Sequence, residues 1–80
     1  MEDVTRKFTA LGSKEEMKTT LETVYNALMV KRYNPNNQIV GYILSEDPTY
    51  ITNYNNARQM ICNIDRDELL QELLKNYLNK

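Results

Sequence analysis

Two cap-then-proline pairs, Asn34-Pro35 and Asp47-Pro48, bracket most of the stretch RYNPNNQIVGYILSED and restrict the fold more tightly than anything else in the chain. The side chain of an asparagine or aspartate accepts from an orphan amide in a helix's first turn, and a proline directly after it gives up an amide that has no partner there anyway. A helix therefore starts at Asn34. The second pair disfavours helical backbone just before Pro48, so the same helix has to stop near Ser45. Between these limits Ile39, Val40, Ile43 and Leu44 recur at helical spacing and predict a wide core-facing stripe. Gly41 interrupts it. Glycine costs a helix about 0.8–1.0 kcal/mol relative to alanine, so its presence predicts that another backbone passes too close for a side chain.

Upstream, Ser13 and Glu16 form a capping box, and Met17, Leu21, Val24, Tyr25 and Leu28 follow with helical period, predicting a first long helix that ends near Lys31 or Arg32. Downstream, Asp47 to Ile51 reads as one turn whose Tyr50 and Ile51 plug the bundle, and Asn53, Asn55 and Asn56 read as a loop. Ala57, Met60, Ile61 and Ile64 predict a short helix. Asp65 with Glu68 caps a last helix, with Asp67 and Glu68 at its start and Lys75 and Lys80 toward its end, as the helix dipole favours. That helix carries Leu69, Leu70, Leu73, Leu74, Tyr77 and Leu78, a broader apolar face than a small monomer buries, and a second copy of the chain is the simplest cover. No stretch alternates as a half-buried strand does. The expected fold is all-α: a compact, homodimeric bundle of about five helices over residues 13–80, preceded by a flexible tail of residues 1–12 with Val4, Phe8 and Leu11 as scattered anchors.

Composition excludes several functions. Eighty residues make one domain, and a domain of this size buries only about 60% of its unfolded surface. Ten basic and eleven acidic residues leave a net charge of −1, so no overall field collects nucleic acid or an anionic membrane. No apolar run approaches the ~20 residues of a membrane span, and MEDVTRKF lacks the apolar core of a signal peptide. With a single cysteine, Cys62, and hence no internal disulfide, the expected location is the cytoplasm. Histidine is absent, so the commonest general base and metal ligand are missing. Cys62, between Ile61 and Asn63, has no histidine to activate it and reads as an ordinary thiol. Asp65, Asp67 and Glu68, with Arg66 among them, read as helix capping rather than a cation site. The two glycines, Gly12 and Gly41, lie too far apart for a phosphate loop, and the six tyrosines lack the basic groove of a stacking platform. The chain is expected to be no enzyme and to need no cofactor or metal.

What remains is Thr5. It precedes Arg6 and Lys7 in a segment with no reason to be ordered, where a kinase has access to it. A phosphate there adds about −1.5 to −2 charge and three acceptor oxygens, which dock on an arginine or cap a helix start. Arg58 and Arg66 fall roughly on one side if the helices run on, and stand as receivers or partner contacts beside the plainer reading of solvated arginines.

The strings VYNAL at 24–28, YNPNNQIVGYILSEDPTYI at 33–51, NNAR at 55–58 and RDELLQELLKNYL at 66–78 together resemble the IreB family of small regulatory phosphoproteins over nearly the whole chain. The resemblance implies an all-helical cytoplasmic homodimer of a low-GC Gram-positive-type bacterium, a substrate of a membrane Ser/Thr kinase with PASTA repeats. It places the phosphoacceptor at Thr5, with Phe8 at i+3; were a Thr5→Ala chain to keep its label, Thr9 is the next place to look. It further implies control of cell-envelope synthesis and cephalosporin tolerance, through Clp-dependent turnover of the enzyme that commits a nucleotide sugar to peptidoglycan. Arg58 and Arg66 match arginines of the family pattern. Thr52 and Asn53 stand where a proline and an arginine are common, Cys62 and Asn63 where further basic residues are, and Arg32 where a glycine is usual. Two rivals stand beside this reading: a helical adaptor or scaffold that binds constitutively without a phospho-switch, and an enzyme using Cys62.

Overall fold

The computed structural model describes the backbone of residues 2–80 and the side chains of residues 14–80. Four α-helices follow one another: α1 (Glu2–Val30), α2 (Pro35–Ser45), α3 (Ala57–Cys62) and α4 (Arg66–Leu78). Single 3-10 turns at Pro48–Tyr50 and Tyr54–Asn56 join α2 to α3, and no strand occurs among the described residues. About five helices were expected; the element after Asp47 is a 3-10 turn rather than a fifth helix. The backbone of α1 is helical from Glu2, ahead of the start expected at Ser13. The tail assigned to residues 1–12, with Thr5 in it, and Ser13 of the capping box lie outside the residues whose side chains are described.

Both cap-then-proline pairs form. Asn34 accepts from the Asn37 amide at 3.1 Å, and Asp47 accepts from the Thr49 amide at 3.0 Å. At the other end of α2, Glu46 takes a left-handed backbone (φ 63°) and returns its amide to the Tyr42 carbonyl, the single-bond form of helix C-cap. α1 closes with the two-bond form: Tyr33 N–H donates to Leu28 O and Arg32 N–H to Met29 O, both at 2.9 Å. Arg32 is the left-handed residue of that motif, with φ 70°. A Cβ in this region costs about 1–2 kcal/mol, a cost that glycine avoids. The asparagine run is the same device twice over, Asn55 and Asn56 both having positive φ, a conformation that asparagine tolerates better than most residues. Lys31 lies over the Tyr54 ring at 5.7 Å and holds this turn against the end of α1.

Val24, Ala27 and Leu28 of α1, Tyr42 of α2, Ile51, and Ala57 and Ile61 of α3 form the core, with Leu21, Ile39 and Ile43 packed around it. The stripe expected on α2 is therefore rotated. Tyr42 is buried and Ile39 and Ile43 half-buried, whereas Val40 is 52% and Leu44 80% exposed. On α1, Thr20 and Ala27 are buried and Tyr25 is outside. Of the expected plug, Ile51 is fully buried, while Tyr50 lies across Gly41. A Cβ on Gly41 would run into the Tyr50 ring, so the approach that demands glycine comes from an aromatic side chain and not from a passing backbone. Gln38 fixes that placement by donating to the Tyr50 carbonyl at 2.9 Å. In α4 only Leu69 is buried; Leu70, Leu73, Leu74, Tyr77 and Leu78 are exposed.

Candidate functional site

Asp65 caps α4 by accepting from the Asp67 amide, which sets Arg66 at the first helical position with its side chain directed back at the end of α2. There Arg66 Nη1 donates to the Ile43 carbonyl at 2.7 Å, and Nη2 pairs with the Glu46 carboxylate. Ile43 belongs to the last turn of α2, where carbonyls lack intrahelical partners and the dipole favours a cation. Arg66 thus neutralises the end of one helix from the start of another and holds the left-handed Glu46 in place.

Arg58, near the start of α3, donates from Nε to the Ile51 carbonyl at 2.8 Å. Among the described residues that carbonyl is the acceptor its side chain uses. Its charge also reaches Asp47, whose carboxyl is held below the usual carboxylate range first by the Thr49 hydroxyl and amide and then, more weakly, by Arg58. The two arginines do not share one continuous helix as their spacing suggested, because the chain breaks at Asn63–Asp65 between α3 and α4. Both fasten the segment running from Ile43 to Ile51, Arg66 at its start and Arg58 at its end. Each is half-buried.

Tyr42 lies under this segment. Burial pushes its phenol up, the neighbouring Cys62 thiol adds to the rise, and the Arg66 charge opposes it. Cys62 itself is exposed. Among the described residues, no group of three acidic or cysteine side chains is placed to hold a metal ion. Two residues that shape the site escaped sequence reasoning: Tyr42 sits one place off the apolar stripe, and Glu46 looks like a solvated charge. Tyr50, expected as part of the plug, fills the space above Gly41. Thr5 lies outside the described side chains.

The arrangement fastens backbone and presents surface, with no reacting group at its centre. A family model described as IreB regulatory phosphoprotein matches residues 3–79. The chain belongs to the IreB family. The match opens ahead of Thr5 and closes beyond α4, taking in both the leading segment and the helical body. An IreB-family chain is a regulatory phosphoprotein, so its role is regulatory, and a phosphoprotein implies a kinase among its partners. No helix among the described residues is long and apolar enough to cross a membrane.

Proposed function

We propose that this chain is a non-enzymatic regulator whose output is set by phosphorylation of Thr5 by a PASTA-domain Ser/Thr kinase. The family match across residues 3–79 carries this reading, because it covers the Thr5-to-Phe8 pattern together with the body. Residues 1–12 act as the regulatory arm and the helical domain as the binding platform. The platform is a cytoplasmic homodimer, an assignment supported by the exposed stripe Leu70, Leu73, Leu74, Tyr77 and Leu78 on α4. Arg58 and Arg66 contribute to partner contact. The regulated process is peptidoglycan synthesis, and with it cephalosporin tolerance, through Clp-dependent turnover of a peptidoglycan-precursor enzyme.

Incubating the full chain with a PASTA-type kinase and mapping the product by mass spectrometry tests the assignment. The phosphate is expected on Thr5, and a Thr5→Ala chain is expected to lose essentially all label. Label retained on that variant, with Thr9 the first position to inspect, overturns the Thr5 assignment. A constitutive adaptor is the second reading, favoured by the unpartnered apolar face of α4. It predicts that Thr5→Ala leaves every cellular readout unchanged.

A further inference from the structure

Between the Glu15–Thr20 stretch of α1 and the α3–α4 corner lies a groove of about 600 Å³. Its floor is apolar, formed by Met17, Met60 and Ile64, and its rim carries Glu15, Glu16, Asp65 and Glu68 with no lysine or arginine among the lining residues. Four carboxylates of one sign around a hydrophobic floor make a strongly negative concavity in a chain whose overall charge is only −1. The carboxylates are spread along the rim and form no cluster able to hold a metal ion, which points to an elongated cationic and apolar occupant rather than a single cation. The chain contains one such segment close by: Arg6, Lys7 and Phe8 put two positive charges beside an aromatic ring, and the connection from Phe8 to Glu15 at the rim is short.

The sequence also provides two places for α1 to begin. The helix runs from Glu2, yet Ser13 and Glu16 spell a second start directly after Gly12, the residue short of proline that a helix tolerates least. Starting at Ser13 releases residues 1–12 from the helix axis and lets them turn back.

We propose that the acid-rimmed groove is the docking site for the chain's own Thr5–Phe8 segment, with the Phe8 ring on the methionine and isoleucine floor and Arg6 and Lys7 on the carboxylates. The proposal rests on the Thr5 reading above and gives the phosphate a structural target. A phosphate on Thr5 adds about −1.5 to −2 charge beside the carboxylate rim and repels it. The same phosphate lies near the start of the longer helix, where the dipole favours negative charge. Both effects move the chain from the docked form to the extended one.

The test is nuclear Overhauser spectroscopy on the isotope-labelled full chain. In the unmodified protein, cross-peaks are expected from the Phe8 ring to the methyl groups of Met17, Met60 and Ile64. They are expected to be lost on Thr5 phosphorylation and in an Arg6→Glu/Lys7→Glu chain, and to weaken in Glu15→Gln/Glu68→Gln. Absence of the cross-peaks from the unmodified chain overturns the proposal, as does their survival in the charge-reversed chain. Cross-peaks found only between differently labelled copies assign the groove to a second molecule and overturn the intramolecular contact. The unmodified and charge-reversed arms need no kinase, so they decide the docking even if Thr5 proves not to be the phosphoacceptor.

Discussion

At single positions, the backbone explains two residues that composition alone leaves odd. Arg32 holds a left-handed conformation at the close of α1. Arg32→Gly is expected to stabilise the chain by about 1 kcal/mol, since it removes the Cβ clash at the cost of some unfolded-state entropy; the midpoint of urea unfolding measures it. Gly41 is the converse case. An alanine there gains about 0.8–1.0 kcal/mol of helix propensity but drives its methyl into the Tyr50 ring, and overpacking of this kind costs about 1–3 kcal/mol. Gly41→Ala alone is expected to destabilise by about 1 kcal/mol, and the same change in a Tyr50→Ala background to stabilise. A like sign in both backgrounds would contradict the packing argument. Asp47 gives a pH dependence. Its carboxyl is depressed chiefly by Thr49 in the folded state, so its contribution is present above the ordinary carboxylate pKa and is lost as pH falls from about 4 through the lower folded value. Asp47→Asn, which keeps a capping oxygen, is expected to flatten that part of the acid-unfolding profile.

At the level of elements, Arg66 ties α4 to α2 by one backbone carbonyl and one carboxylate. Arg66→Met keeps the aliphatic packing and removes both contacts. The expected cost is about 1–2 kcal/mol, at the low end for a charged hydrogen bond because the side chain is partly solvated. Chemical denaturation checks it, and an unchanged midpoint would show that α4 is held by Leu69 alone. The limits of α2 were legible in the sequence because caps and prolines act within a few residues, and both pairs form where the pattern put them. Which side of α2 faces inward was not legible. Ile39, Val40, Ile43 and Leu44 satisfy helical spacing, but Tyr42 competes for the same core with a larger apolar body, and only the positions of α1, α3 and Ile51 decide between them. The expectation that Arg58 and Arg66 share one helical side required α3 and α4 to run on as a single helix, and the chain breaks between them. Arg58 reaches the Ile51 carbonyl beyond the Pro48–Tyr50 turn and Arg66 reaches the end of α2, so each fastens the Ile43–Ile51 segment from its own helix.

At the scale of the whole molecule, the described residues expose an apolar stripe on α4. Leu70, Leu73, Leu74, Tyr77 and Leu78 fall at i, i+3, i+4, i+7 and i+8, one continuous face, and all are exposed. Sedimentation at micromolar concentration is expected to give about twice the 9.4 kDa chain mass, and Leu74→Glu, an exposed position, to return a folded monomer. A wild-type monomer would remove the dimer from the account. In the proposed reading the helical body acts through what it binds, and charge on the leading segment changes that binding. The most direct measurement is the half-life of the peptidoglycan-precursor enzyme in cells carrying the wild-type or the Thr5→Ala chain, each with and without the kinase. The account predicts that the half-life responds to the kinase with the wild-type chain and ceases to respond with Thr5→Ala. An identical kinase response in both would contradict it.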